Sequence, residues 1–278
     1  MTDIAAQQRA FWNSEATRRW VTEQTRIDRL FAAVTDAAIA AAAPKPGESV
    51  LDIGCGTGTT LLRLAEAVGP GGQAMGVDIS AQQLALARQR IAGTKQASVT
   101  LDDAGTHDFT PATFDLAFTR FGVMFFADPV AAFTNIRRAL KPAARLALAV
   151  FRPGPQNPWA TASIAAIRHL VTPPAPPGPE EPGQFSWGDP ARVHRILEGA
   201  GFRDVTLTPL DVAITIGASA AEAAEFAMFI GQGARLLQDV PATTRDAART
   251  AFETFFKAHE GPGGVSLPGG LWLVSAKN

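Results

Sequence analysis

Three glycines at alternate positions follow a short apolar segment that carries an acidic residue. Gly54, Gly56 and Gly58 come directly after residues 50–53, and Asp52 lies inside that segment. Glycine tolerates a positive φ and has no Cβ, so a ligand can approach the main chain closely at such a turn. The pattern predicts a strand, then a ligand-binding turn, then a helix.

The acidic residue limits which ligand can bind at this turn. A dinucleotide fingerprint has the form Gly-x-Gly-x-x-Gly, but Thr59 occupies the position of its third glycine. A carboxylate at Asp52 would also repel the pyrophosphate of NAD or FAD. The same charge suits an ammonium or a sulfonium, and S-adenosylmethionine carries both and has no phosphate. The residues therefore favour S-adenosylmethionine as the ligand.

A second acidic residue ends the next apolar segment. Residues 75–79 read as a strand with Asp78 at its end, about twenty residues after the glycines. A carboxylate at this place in nucleoside-binding α/β sheets can accept two hydrogen bonds from a ribose diol. A glycine turn alone is weak evidence, but Asp52, the glycines and Asp78 together indicate a cationic nucleoside ligand.

Strands and helices alternate between residues 48 and 152. The patterns predict strands at 50–53, 74–78, 98–101, 114–119 and 145–151, and helices at 58–68, 80–92 and 129–140. Because the strands are continuously apolar, they indicate a parallel sheet covered on both faces. Ligands of such sheets bind beyond the carboxyl ends of the strands. Four charged residues fall at those ends: Asp52, Asp78, Asp103 and Arg120.

Five stretches of this region resemble the class I S-adenosylmethionine-dependent methyltransferases, in the small-molecule branch similar to ubiquinone and menaquinone methyltransferases. They are residues 50–58, 76–80, 103–107, 114–118 and 136–142. The sequence departs from the family at Ala143-Ala144, where two glycines are usual. The resemblance implies an α/β fold with a doubly wound, mostly parallel, Rossmann-like sheet of seven strands and helices on both faces.

The same resemblance implies contacts with the cofactor S-adenosyl-L-methionine. Asp103 is expected to accept a hydrogen bond from the adenine amino group, and Ala104 to offer its main chain. The expected cofactor-binding residues are Asp52, Gly54, Gly56, Gly58, Asp78, Ile79, Asp103, Ala104, Thr119 and Trp20.

We expect a single methyltransferase domain over residues 1–278, built in three parts. Residues 1–43 read as helices that cover the cofactor, and residues 44–152 as the cofactor-binding core. Residues 153–278 form the C-terminal part, with a helical insertion at 218–260 before a last strand at 271–276. The helices of that insertion, at 219–238 and 242–259, are expected to complete an apolar acceptor pocket that includes Met228 and Phe229.

The rest of the C-terminal part is expected to contain a helix at 158–170, a helix at 190–200 and a long strand at 204–216. Residues 172–182 are rich in proline, which cannot donate ladder or helix hydrogen bonds, so they predict an extended surface loop.

The composition bounds the partners and the compartment. Lys and Arg total 25 against 26 for Asp and Glu, without a basic cluster, so nucleic acid is disfavoured. One cysteine, Cys55, cannot form an internal disulfide, and residues 1–12 do not read as a secretory signal. The apolar run 37–43 is too short for a membrane span. We expect a cytoplasmic location and a small-molecule partner, with a homo-oligomer left open.

Methyl transfer from a sulfonium is a one-step displacement, so alignment matters most and catalytic side chains are optional. The candidate catalytic residues are His107, because histidine is the residue type best suited to act as a base near neutral pH, and Arg120, which could bind an anionic acceptor or the methionine carboxylate. A structural imidazole and a structural ion pair are their alternatives. Phe121, Met124, Phe125 and Phe126 either line a pocket or belong to the core. The sequence has no cluster of His and Cys residues, so it predicts no metal site.

Three functions are compatible with these observations. The favoured one is methyl transfer from S-adenosylmethionine to a small molecule, with oxygen, nitrogen, sulfur and carbon acceptors all open. A catalytically silent S-adenosylmethionine-binding regulator would share the donor site but show no turnover. A nucleotide-dependent oxidoreductase is disfavoured by the missing third glycine.

Overall fold

The computed structural model describes residues 3–173, 178 and 180–278. The predicted proline-rich loop at 172–182 lies partly outside them, at 174–177 and 179. None of the helices in the described ranges combines the length and apolar character that a membrane crossing requires.

Eight strands and thirteen α-helices occur in the described chain. The strands are β1 (Ser49–Ile53), β2 (Gln73–Asp78), β3 (Ala97–Leu101), β4 (Phe114–Arg120), β5 (Leu140–Phe151), β6 (Arg203–Gly217), β7 (Glu260–Gly261) and β8 (Gly264–Lys277). The helices are α1 (Ile4–Trp12), α2 (Arg19–Thr22), α3 (Gln24–Leu30), α4 (Ala32–Ala42), α5 (Thr59–Val68), α6 (Ala81–Ile91), α7 (Pro129–Ala139), α8 (Pro158–Thr161), α9 (Ile164–Ile167), α10 (Pro190–Gly199), α11 (Ala220–Phe229), α12 (Gly231–Leu236) and α13 (Ala242–Lys257).

The strands form one sheet in the order β3-β2-β1-β4-β5-β8-β6, and β7 pairs with β8. Neighbours from β3 to β5 run parallel, whereas β8 is antiparallel to β5. Asp52 of β1 lies opposite Gly76 of β2 and Phe118 of β4, so it sits near the middle of the parallel part. The predicted α/β fold, with a central sheet of about seven strands flanked by helices, is confirmed.

The central parallel strands β1 and β4 are buried on both faces. Val50, Leu51 and Ile53 of β1 and Leu116 and Phe118 of β4 are at most 1% exposed. Burial of the whole strand is typical of a sheet covered by helices on each side. Helix α5 packs on the sheet through one apolar stripe, whose buried members are Leu61, Leu64, Ala65 and Val68.

The chain divides into two compact units. Unit 1 comprises Met1–Phe151, Pro179–Leu210 and Leu271–Asn278, and it contains the parallel strands β1 to β5. Unit 2 comprises Arg152–Gly178 and Asp211–Gly270, and its helices α11 and α13 pack on each other with Phe226, Phe252 and Phe256 buried. The expected single-domain organisation stays a prediction.

Three predicted elements of unit 2 differ in their bounds. The helix expected at 158–170 consists of two single-turn helices, α8 (Pro158–Thr161) and α9 (Ile164–Ile167). The helix expected at 219–238 is broken at Ile230, which is extended (φ −131°, ψ 147°), so α12 starts afresh at Gly231. The last strand starts at Gly264 rather than Leu271, because Gly264 and Val265 pair with β7 in a tight hairpin. Glycines and prolines at 261–264 and 268–270 indicate turns locally, and only the pairing partner turns these residues into strand.

Ala143 occupies the place of a usual family glycine and adopts the backbone that glycine favours. Its φ is +61°, in the left-handed region, and its side chain is exposed. A non-glycine residue pays about 1–2 kcal/mol in that region. The departure Ala143-Ala144 therefore changes the residue and not the conformation of the turn.

Candidate active site

The three glycines of the turn after β1 all have positive φ. The values are +67° at Gly54, +54° at Gly56 and +86° at Gly58. The amides of Gly54 and Cys55 both donate to the carbonyl of Val77, at 2.8 and 3.3 Å, which fixes the turn against the end of β2. The turn therefore needs glycine for its backbone conformation, as the spacing predicts.

Asp52 is enclosed below this turn. Its side chain is 0% exposed, and its Oδ2 accepts a hydrogen bond from the Thr60 hydroxyl at 2.6 Å. Its Oδ1 has no hydrogen-bond partner among the described residues. Burial raises the pKa of Asp52 to about 7, although the Thr60 bond and the charge of Arg120 oppose the shift. Because both oxygens are covered, Asp52 offers no exposed acceptor at the turn.

Asp78 ends β2 beside the turn. Its Oδ2 accepts from the amide of Gly56 and its Oδ1 from the amide of Ser80, both at 2.8 Å. Burial raises its pKa, and these two hydrogen bonds oppose the rise. Each carboxylate oxygen has a second lone pair, so Asp78 can still accept from a vicinal diol. Ile79 follows directly, and Ser80 caps α6.

The loop after β3 contains the next group of predicted residues. Asp103 Oδ1 accepts from the amide of Gly105 at 2.8 Å, and Ala104 is buried. His107 Nδ1 lies 2.8 Å from Asp102 Oδ2, and this bond lowers the pKa of Asp102. The side-chain amide of Asn135 holds the loop by donating to the carbonyl oxygens of Ala104 and His107, at 3.2 and 2.8 Å.

Arg120 and Thr119 end β4, two strands away from β2. The Thr119 hydroxyl donates to the carbonyl of Ile53 at 2.6 Å and accepts from the amide of Gly122 at 3.1 Å. Arg120 Nη1 donates to Thr35 Oγ1 at 2.6 Å. Since β2 and β1 separate β3 from β4 in the sheet, the structure does not place His107 and Arg120 on neighbouring strands.

Aromatic rings surround Arg120. Its guanidinium carbon lies 5.8 Å from the ring centroid of Phe31 and 5.7 Å from that of Phe121. Phe121 stacks on Phe151 with centroids 4.3 Å apart and planes at 12°. Phe121 also has φ +75°, a strained value for a bulky residue. Phe121 and Met124 are buried and belong to the core, whereas Phe125 and Phe126 are half-buried.

The segment after α1 is bound to the loop after β2. The Asn13 side chain donates to the carbonyl of Ile79 and accepts from the amide of Ala81, both at 2.9 Å. The carbonyl of Trp12 accepts from Ser80 Oγ at 2.8 Å. The Gln82 side chain adds bonds to Trp12, Ser14 and Thr17.

The Trp12 ring reaches the other side of the turn. It packs edge-on against Phe125, which follows β4, at 5.0 Å between centroids, and Trp20 packs on Trp12 at 5.9 Å. Because β1 lies between β2 and β4, a residue bound to both loops passes over the end of β1. The N-terminal segment therefore lies across the glycine turn.

A polar network that the sequence analysis missed ties α3 to the start of α5. Asp28 accepts from the hydroxyl of Thr59 at 2.6 Å and from Arg90 at 3.0 Å, and Arg90 also donates to the carbonyl of Thr57 at 2.8 Å. Asp28, Thr59 and Arg90 come from three different helices. No local pattern marks such a contact before the helices are packed.

The described residues contain no group of three or more His, Cys, Asp and Glu side chains arranged to hold a metal ion. They do combine a turn in which all three glycines have positive φ, an acid that can accept from a diol, and a buried carboxylate with an unsatisfied oxygen. These features fit a cationic nucleoside.

The chain is similar to known methyltransferases over part of its length. Residues 44–178 match a protein family described as "Methyltransferase domain". The chain is 32% identical over 174 residues to the Nocamycin O-methyltransferase of Saccharothrix syringae, covering 58% of this chain and 61% of that protein. It is 39% identical over 117 residues to the 2-phytyl-1,4-naphtoquinone methyltransferase of Trichormus variabilis, covering 41% and 51%.

A solved structure shares the fold. The Phosphoethanolamine N-methyltransferase 2 of Haemonchus contortus, solved in complex with S-adenosyl-L-methionine, matches with a TM-score of 0.55 at 20% identity and covers 88% of this chain and 52% of that chain. Residues 44–178 thus match a methyltransferase domain, and the solved structure shows that the fold is shared. The chain spans less than two thirds of the length of each of the two curated relatives.

Proposed function

We propose that this protein transfers a methyl group from S-adenosylmethionine to a small-molecule acceptor by direct displacement. The observation that carries the proposal is the arrangement of Asp78 and the glycine turn. Asp78 holds the amide of Gly56 at 2.8 Å, so the acid and the turn present one continuous surface at the end of β1 and β2. The two curated relatives named above are methyltransferases whose names state small-molecule acceptors.

The cofactor is assigned to this surface by the chemistry of its residues. Asp78 accepts from the ribose diol, and the loop with Asp103 and Ala104 meets the adenine edge. A cation above the turn would favour the ionised form of enclosed Asp52, whose charge would then stabilise that cation where water is excluded. S-adenosylmethionine, when bound, supplies a methyl group activated by the sulfonium charge.

The protein's part in the reaction is alignment and exclusion of water. The displacement needs the acceptor atom in line with the methyl carbon and the sulfur, and a rigid site supplies that geometry. The N-terminal segment, with Trp12 and Trp20, lies across the turn and keeps water from the reacting groups. Ile79 follows β2 and Thr119 lies near the end of β4, on the two sides of the turn. We propose that both contact the cofactor, through the main chain and through packing.

His107 remains a proposed base for acceptors that must lose a proton. Its Nδ1 bonds to Asp102, which leaves Nε2 as the nitrogen for proton exchange. Methyl transfer to an acceptor that is already ionised needs no base.

Calorimetry tests the donor site first. The purified protein should bind S-adenosylmethionine and S-adenosylhomocysteine and should not bind NAD at comparable strength. A screen of small acceptors with isotope-labelled donor then tests turnover. Comparable binding of NAD would contradict the cofactor assignment, and normal cofactor binding without transfer to any acceptor would favour a silent S-adenosylmethionine-binding regulator.

A further inference from the structure

Arg120 carries a positive charge that the protein compensates only in part. Its Nη1 donates to Thr35 Oγ1, and within the part of the chain that the structure describes this is its one hydrogen bond. Thr35 is itself buried and donates its hydroxyl to the carbonyl of Phe31 at 2.9 Å. The remaining guanidinium N–H groups have no hydrogen-bond partner among the described residues, and Arg120 is half-buried.

The nearest acids do not accept from this guanidinium. Asp28 and Asp52 stabilise its charge at a distance, while burial lowers the pKa of Arg120. The Asp28 oxygens accept from Thr59 and Arg90, and Asp52 accepts from Thr60. A planar oxyanion matches two parallel N–H groups of a guanidinium, and partial burial strengthens such a contact.

The surroundings of Arg120 are apolar. Phe31 and Phe121 flank the guanidinium, and the stack continues through Phe151 to half-buried Phe185, whose centroid is 6.2 Å from that of Phe151. Phe121 has a left-handed backbone, which its stacking on Phe151 holds in place. The buried rings of Phe31, Phe121 and Phe151 make the surroundings of Arg120 apolar, which strengthens a charged contact there, and half-buried Phe185 leaves one end of the stack accessible.

We propose that Arg120 binds a carboxylate of the methyl acceptor, and that the acceptor is a hydrophobic molecule with one such group. This inference rests on the proposed function and adds the substrate class to it. Arg120 belongs to β4, on the side of β1 that continues to β5, whereas the ribose acid Asp78 belongs to β2 on the other side. The carboxylate of the donor is the competing source of the same chemistry, and the test separates the two.

The test compares the binding of two probes, 1-hydroxy-2-naphthoate and its uncharged carboxamide, by calorimetry with S-adenosylhomocysteine present. The wild-type protein should bind the naphthoate about tenfold more tightly, and Arg120→Met should lose this preference. Arg63→Met, which removes an exposed arginine paired with Asp36 at 2.9 Å, is the matched control and should keep it. The affinity for S-adenosylhomocysteine should stay within about twofold in all three proteins.

Each other result contradicts the inference. Equal affinity for the two probes in the wild type, no binding of either, or an unchanged preference in Arg120→Met would overturn it. A parallel fall of S-adenosylhomocysteine affinity in Arg120→Met would assign Arg120 to the donor carboxylate instead. If Arg120→Met does not fold, Arg120→Lys is measured instead. Its preference for the naphthoate over the carboxamide should fall to about threefold, because lysine lacks the planar fork. An unchanged preference would contradict the role of Arg120 in binding the carboxylate.

If the wild-type protein does not bind S-adenosylhomocysteine at all, this result would contradict both the proposed function and this inference. Cofactor binding without the carboxylate preference would contradict this inference alone.

Discussion

Gly54 and Gly122 lie back to back, so that neither has room for a Cβ. A Cβ on Gly54 would lie 2.7 Å from Gly122 Cα, and a Cβ on Gly122 would lie 2.7 Å from the carbonyl oxygen of Ile53. The Thr119 hydroxyl bonds to both sides of this contact. The turn after β1, assigned to the donor, and the turn after β4, which follows Arg120, are therefore joined main chain to main chain.

Gly122→Ala should weaken cofactor binding even though residue 122 touches the turn only from behind. The added methyl group must push the turn away, and overpacking of this kind costs about 1–3 kcal/mol. Calorimetry with S-adenosylmethionine and a thermal melt measure the two effects. Gly93→Ala is the control, because a Cβ there meets nothing within 4 Å. An unchanged affinity in Gly122→Ala would show that the two turns move independently.

Asp78→Ala should lower the affinity for S-adenosylmethionine. Each hydrogen bond lost from the ribose diol to the carboxylate costs about 1.5–3 kcal/mol. The exposed Asp36 offers a control, since Asp36→Ala removes only an ion pair with Arg63. Equal affinities of the two variants in a calorimetric titration would contradict the ribose role of Asp78.

Gln82→Ala should release the N-terminal segment from the site. The Gln82 amide bonds to Trp12, Ser14 and Thr17, so its loss leaves the segment held mainly by Asn13 and Ser80. We expect S-adenosylmethionine to dissociate roughly three- to tenfold faster, since opening a cover affects the off-rate most. Stopped-flow displacement measures this rate, with exposed Gln89→Ala as the control. The same off-rate in both variants would mean that the segment does not retain the cofactor.

Asp52 should make the protein less stable as the pH rises from about 4 to about 7. Its folded pKa of about 7 lies above the value of 3.8 for an ordinary aspartate, so the folded state holds a proton that the unfolded state has lost. The free energy of unfolding should therefore fall by up to about 1.4 kcal/mol per pH unit relative to Asp52→Asn. Urea denaturation of both proteins across this range measures the difference. Parallel profiles would contradict the raised pKa.

Ala143→Gly should stabilise the protein. Glycine removes the cost of a left-handed alanine, about 1–2 kcal/mol, but adds about 0.5–1 kcal/mol of unfolded-state entropy. We expect a net gain of roughly 0.5–1 kcal/mol in the free energy of unfolding. Ala85→Gly, at an exposed position of α6, is the control and should destabilise by about 1 kcal/mol. A loss of stability in Ala143→Gly would contradict the observed φ.

The sequence alone determined the features that depend only on residues close together along the chain. Gly54, Gly56 and Gly58 predict a turn with positive φ, and all three have it, because the conformational freedom of glycine is a property of the residue itself. The alternation of apolar strands and amphipathic helices over residues 48–152 also reports local periodicity, so those elements agree with the structure to within a few residues.

Only the tertiary structure decided which distant residues meet. Asp28 reaches Thr59 and Arg90 across 31 and 62 residues of chain. The sequence predicts that Asp52 contributes to the ligand site, yet packing encloses its carboxyl group and raises its pKa. Trp12 crosses to Phe125 because β1 lies between their anchoring strands. Such contacts follow from how helices and strands pack in space, and no repeat, spacing or propensity along the chain encodes them separately.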